Sequence, residues 1–102
     1  MRGKTVGIIG LGNIGSKVAM LTKAFGANII AHDPYVISKK YKMVSLKNLC
    51  LKSDIISIHV PFNKETINLI NRKNFLHMKN GTYLINTSRG GVINENDLIK
   101  FL

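Results

Sequence analysis

Gly10, Gly12 and Gly15 stand in the order Gly-x-Gly-x-x-Gly, a spacing that serves the close approach of backbone to a pyrophosphate. Gly10 would allow a tight turn. Gly12 would bring the chain against phosphate with no Cβ in the way, and Gly15 would let the next helix pack closely on the preceding strand. A helix starting at about Asn13 and Ile14 would present free N–H groups and the positive end of its dipole to the anion. The acidic partner is Asp33, 18 residues after Gly15, whose carboxylate can accept from both hydroxyls of an adenosine ribose. A 2′-phosphate would meet the like charge of Asp33, and no arginine follows to offset it, so NAD is expected rather than NADP. The alternative reading of Asp33 is an ordinary Asp-Pro turn.

The glycine spacing gains meaning from the elements on either side. Residues 5–9, Thr-Val-Gly-Ile-Ile, form a short apolar run of the kind buried on both faces of a parallel sheet. Ile14, Val18, Leu21 and Phe25 then recur with helical periodicity, which predicts a helix over 13–25 lying on the sheet by that stripe and stopped by Gly26. Residues 28–32 predict a second strand, ended by Asp33-Pro34. Met43-Val44 suits a short edge strand, with Ser45 capping a helix over about 46–51. Residues 54–60 predict a strand closed by Pro61, residues 63–71 a loop with a helical turn, and residues 72–78 a helix. Asn80-Gly81 makes a turn before a strand over 82–86, and Asn94 can cap a helix over 95–102. Strands alternating with helices imply an α/β chain of the Rossmann type, a doubly wound parallel sheet with right-handed crossovers that binds ligands at its carboxyl edge. The pattern ends in a helix without the strand it should lead to, so the sheet is expected to be truncated.

Composition narrows the class. A chain of 102 residues, 45% of them hydrophobic, supports one core and one domain. The single Cys50 excludes an internal disulfide, and no Cys/His cluster has zinc spacing, so the expectation is a cytoplasmic protein without structural metal. Residues 1–5 lead straight into the first strand with no secretory h-region, and no apolar stretch reaches the ~20 residues of a membrane span. A net charge of +10 raises nucleic acid as a partner. The lysines are nevertheless spread from Lys4 to Lys100, and the one cluster, Lys39-Lys40-Tyr41-Lys42, is without the arginines and stacking aromatics typical of a binding platform. They read as solvated faces, with neither nucleic acid nor membrane as partner.

Two further segments fall just past predicted strands, and so on the ligand edge: His59-Val60-Pro61-Phe62-Asn63-Lys64-Glu65-Thr66 and Ile85-Asn86-Thr87-Ser88-Arg89-Gly90-Gly91. With the glycine turn and Asp33 in the same order, they make nearly the whole chain resemble the NAD-binding domain of the D-isomer-specific 2-hydroxyacid dehydrogenases. The resemblance implies that Gly10, Gly12, Asn13, Ile14 and Gly15 border the pyrophosphate and Asp33 the ribose. Val60, Pro61 and Thr66 would lie along the cofactor, with Thr87 and Ser88 near the nicotinamide. Arg89 matches the substrate-binding and catalytic arginine, a planar guanidinium able to grip a carboxylate with two hydrogen bonds and polarise the neighbouring carbonyl.

The implied function is an oxidoreductase transferring hydride between NAD and the CH–OH group of a D-2-hydroxy acid, built as a homodimer in the complete enzyme. The family's catalytic histidine and its assisting glutamate lie later than the arginine, and its substrate domain is built from segments outside this sequence. Residues 1–102 therefore read as an NAD-binding domain, incomplete at its C-terminus, that binds NAD without turnover. A non-catalytic NAD sensor is the competing reading, and a histidine and glutamate downstream would decide between them. His32 and His59 are expected to be strand-end residues, and His77 a helix residue remote from the ligand edge.

Overall fold

The computed structural model describes residues 2–60 and 69–86. The helix expected over 95–102 and much of the loop before Leu69 lie outside the described residues. Five strands form one parallel sheet: β1 (Thr5–Ile9), β2 (Asn28–His32), β3 (Lys42–Met43), β4 (Ile55–Ile58) and β5 (Tyr83–Asn86), in the spatial order β3-β2-β1-β4-β5. The central strand β1 pairs from Thr5↔Asn28 to Ile9↔His32 on one side and from Val6↔Ile55 to Ile9↔Ile58 on the other. Its run Val6 to Ile9 is buried throughout, because helices cover both faces of the sheet here.

Helix α1 (Asn13–Ala24) covers one face, over Val6, Ile8, Ala27, Ala31 and Tyr41. Helices α2 (Leu46–Lys52) and α3 (Arg72–His77) cover the other, where Leu49, Cys50 and Phe75 meet Ile9, Ile30, Ile56 and Ile58. Ser45 caps α2 as expected, its hydroxyl accepting from Asn48 N–H at 3.2 Å. The expected lengths of β4, β5 and α3 shorten by one to three residues, while β1 and β2 keep their expected bounds.

One expectation is overturned. The stripe Ile14, Val18, Leu21 and Phe25 does not face the sheet: Ile14 is 65% exposed, Leu21 56% and Phe25 72%, and only Val18 is partly buried against the core. Gly15 and Ala19 are the buried residues of α1. The cause is distance, since a Cβ on Gly15 would stand 1.9 Å from the carbonyl oxygen of Gly10. A helix held that near the sheet accommodates only small side chains beneath it, and its large apolar residues are displaced outward.

Gly7 repeats the device on the opposite face. A Cβ there would meet Ser53 Oγ at 2.2 Å and Leu49 Cδ2 at 2.7 Å, so a strand glycine admits α2 to the sheet. At the amino edge, Asp54 accepts from Thr5 N–H at 2.8 Å and from Lys79 Nζ at 3.2 Å. These two hydrogen bonds hold its carboxyl below the usual carboxylate range.

Candidate functional site

β1 is flanked by β2 and β4, which leave it in opposite directions, so the carboxyl end of β1 is the topological switch point of the sheet. Three segments converge there. Gly10 leaves β1 with φ +96°, a conformation suited to glycine, and its N–H donates to His32 O at 2.9 Å. A Cβ on Gly10 would meet Val60 Cγ1 at 2.9 Å and the backbone of His59 at 3.0 Å, so the exit of β4 presses directly on the turn. From the other side, Asp33 Oδ2 accepts from Leu11 N–H at 2.8 Å.

The turn leads into α1 through Gly12, the N-cap residue, which is exposed, and no side chain caps the helix or places an acid in its first turn. Among the described residues, nothing lies within 4 Å of where a Cβ on Gly12 would be. The N–H groups at the start of α1, around Asn13 and Ile14, thus face an open, uncapped position carrying the helix's partial positive charge. This arrangement fits a pyrophosphate.

Asp33 lies at the end of β2, beside the turn. Its Oδ1 accepts from Tyr35 N–H at 2.9 Å, so the turn expected as its alternative role is present together with its contact to the glycine loop. A carboxylate offers about four acceptor positions, which leaves roughly two for a vicinal diol. Gly10, Gly12, Asn13, Ile14, Gly15, Asp33 and Val60 are therefore brought to one edge. Pro61, Thr66, Thr87, Ser88 and Arg89 lie outside the described residues; β5 ends at Asn86, in register with Ile58 of β4.

One feature of this edge carried no expectation. Ser57 Oγ and His59 Nε2 are 2.6 Å apart at the end of β4, and burial lowers the His59 pKa, favouring the neutral ring. The spacing of Ser57 and His59, two apart on a strand and so on one face, was the available signal. His32 is a strand-end residue as expected, its Nδ1 lying 3.0 Å from Val44 O. In the basic cluster, Tyr41 is buried in the core beside α1, with the ammonium groups of Lys23 and Lys40 at 5.9 and 5.6 Å from its ring centre, so it is not a free stacking surface.

The fold and the edge together define a dinucleotide-binding α/β unit of the Rossmann type. Across residues 1–102 the chain matches the family described as "D-isomer specific 2-hydroxyacid dehydrogenase, NAD binding domain", and it belongs to that family. It is 43% identical over 100 residues to D-3-phosphoglycerate dehydrogenase of Archaeoglobus fulgidus, which covers 93% of this chain and 19% of the relative. With hydroxypyruvate reductase of Thermotoga maritima it shares 46% identity over 98 residues, 94% of this chain and 32% of the relative. Among solved structures, the apo D-lactate dehydrogenase of Escherichia coli superposes with a TM-score of 0.92 at 39% identity, covering 97% of this chain and 33% of that one. The Aquifex aeolicus D-lactate dehydrogenase complexed with NAD and lactic acid gives 0.91 at 42% identity, over 95% and 30%. The chain thus spans between about a fifth and a third of the length of these relatives.

Proposed function

We propose that this chain is the cofactor-holding part of an NAD-dependent oxidoreductase that acts on the CH–OH group of a D-2-hydroxy acid. The observation that carries the proposal is the uncapped start of α1 above an open Gly12, with Asp33 fixed beside it at the switch point of the sheet. NAD, when bound, supplies the hydride acceptor or donor. This chain's part is to hold the pyrophosphate at Gly10, Gly12, Asn13, Ile14 and Gly15, and the ribose at Asp33. The family resemblance assigns Val60, Pro61 and Thr66 to the cofactor's path, and Thr87 and Ser88 to the nicotinamide side. Arg89 is assigned to the substrate, since its guanidinium can grip a carboxylate with two hydrogen bonds.

The proton of the alcohol needs a general base, and the family resemblance assigns that work to a histidine and glutamate beyond Arg89. The 102-residue domain on its own is accordingly assigned binding without turnover, with the substrate domain supplied by other segments of a longer, cytoplasmic polypeptide. A homodimer belongs to the same reading. The outward apolar face of α1, with Ile14, Met20, Leu21 and Phe25 each more than half exposed, supports a covering partner.

Calorimetry with NAD and NADP tests the proposal. NAD should bind the more tightly, because the 2′-phosphate of NADP meets the carboxylate of Asp33. Asp33→Ala should weaken NAD about tenfold or more, the scale of a lost charge-assisted hydrogen bond. Equal affinity for the two dinucleotides, or an unaffected variant, would overturn the assignment of Asp33 to the ribose.

A further inference from the structure

We infer that Asp33 is also a positioning residue for the glycine turn: its carboxylate fastens the pyrophosphate loop to β2 whether or not a ligand is present. The inference rests on the dinucleotide reading above, but its observations are contacts within the chain itself. The β1–β2 register ends at Ile9↔His32, and the next two N–H groups lie where the chain turns away at Gly10. The first, Gly10 N–H, is taken by the carbonyl of His32 at 2.9 Å. The second, Leu11 N–H, has no carbonyl of β2 to meet and is taken by Asp33 Oδ2 at 2.8 Å. A side chain thus takes the donor that follows the last ladder bond, at a residue, Leu11, that is only 6% exposed. A donor at so buried a residue is costly without a partner, and an ionised acceptor is the stronger kind of partner.

The carboxylate is itself held from its far side. Oδ1 accepts from Tyr35 N–H at 2.9 Å, so both oxygens are oriented by backbone. The two remaining acceptor positions match the two hydroxyls of a vicinal diol. One side chain therefore ties the ribose position to the conformation of Leu11, the residue immediately before Gly12 and the helix start. Loss of Asp33 should loosen the phosphate bed as well as the ribose contact.

The test begins without ligand. In the intact protein, hydrogen exchange of the Leu11 amide should be slow, and Asp33→Ala should accelerate it about tenfold or more relative to Gly7 in the middle of β1, on the scale of a charged hydrogen bond. Asp33→Asn keeps one acceptor oxygen and is the gentler variant if alanine fails to fold; it should accelerate exchange at Leu11 or at Tyr35. Unchanged exchange at both amides would overturn the inference. Saturation with NAD should leave Leu11 protected, since the latch and the diol use different acceptor positions, and deprotection would overturn it too.

A second measurement separates the latch from a ribose-only role. A probe without the diol, 2′,3′-dideoxy-ADP, should lose affinity severalfold in Asp33→Ala. A residue serving the ribose alone would leave this probe unaffected, or bound more tightly once a negative charge is gone. If the unmodified protein binds no NAD, the proposed function fails, while exchange at Leu11 still decides the latch.

Discussion

Gly15→Ala puts the central geometric claim at risk. The new Cβ would stand 1.9 Å from the carbonyl oxygen of Gly10, 3.1 Å from its carbon and 3.4 Å from Ile8 Cγ2. The first contact is with backbone, which cannot swing aside as a side chain can. Reaching ordinary van der Waals separation requires the start of α1 and the turn to part by about 1.5 Å, and a shift of that size takes an N–H···O bond of ~2.9 Å out of range. Overpacking costs about 1–3 kcal/mol, against which the better helix propensity of alanine returns up to about 1 kcal/mol. Denaturant melting should therefore show a loss of up to about 2 kcal/mol. Calorimetry should show NAD binding weakened roughly 10- to 100-fold, the equivalent of one or two charged hydrogen bonds. Gly12→Ala is the control. Its backbone has φ −76° and, among the described residues, nothing lies within 4 Å of the added Cβ, so stability should fall by no more than about 1 kcal/mol for the poorer N-cap, while binding falls as steeply. Unchanged stability and affinity in Gly15→Ala would refute the claim that close approach of α1 builds the site.

Ser53 Oγ is fully buried and has no hydrogen-bond partner among the described residues, so Ser53→Ala should be neutral or stabilising by about 1 kcal/mol in a melt; a clear loss would mean the hydroxyl is paired. Burial pushes the Cys50 thiol up to about 11, so at pH 8 only about a thousandth of it is thiolate and alkylation should proceed no faster than opening of the core; prompt labelling of the folded protein would contradict the packing of α2. Acid should weaken the fold in two steps of the same sign. His59 has a lowered pKa, so the unfolded chain takes up its proton first and stability declines as pH falls below about 6.5. Asp54 has a lowered pKa as well, so its contribution is present above the usual carboxylate range and fades below about pH 4. Replacing His59 by Gln should remove the first decline from the stability profile, and Asp54→Asn should flatten the second.

The strands were legible because burial on both faces requires continuous apolar runs, and Val6 to Ile9 can hardly be anything else in this context. The glycine turn and Asp33 were legible because each needs a particular residue type: no Cβ, a positive φ, or a carboxylate. The face of α1 was misread for a related reason. Hydrophobic periodicity assumes that the largest apolar side chains mark the buried side, whereas here the distance between helix and sheet decides, and it admits only Gly15 and Ala19. Their spacing of four was the sign available in the sequence. The start of α3 at Arg72 came out as expected, but its cap went unread. Asn71 was placed in a loop, yet it caps the helix by accepting from Lys73 N–H at 3.0 Å, while Asn74 Oδ1 accepts from Asn71 N–H at 2.9 Å. Asparagine in place of the usual serine and glutamate hides that capping box from a pattern search.

Most of the described site is backbone. Gly10, Gly12 and Gly15 act by lacking side chains, the first turn of α1 offers N–H groups, and Val60 touches the turn as a packing partner. Such a site tolerates change elsewhere so long as β1, β2 and β4 keep their order and α1 keeps its distance, which is consistent with TM-scores of 0.92 and 0.91 at only 39% and 42% identity. Asp33 is the exception, because two backbone donors depend on its carboxylate and no other residue type supplies two ionised oxygens at that reach. Glutamate would extend the carboxylate by about one methylene, which can still reach a ribose but would have to bend back to reach Leu11 and Tyr35 together. The requirement at position 33 is therefore stricter than ribose binding alone imposes, and the difference between aspartate and glutamate there measures how much the loop depends on it.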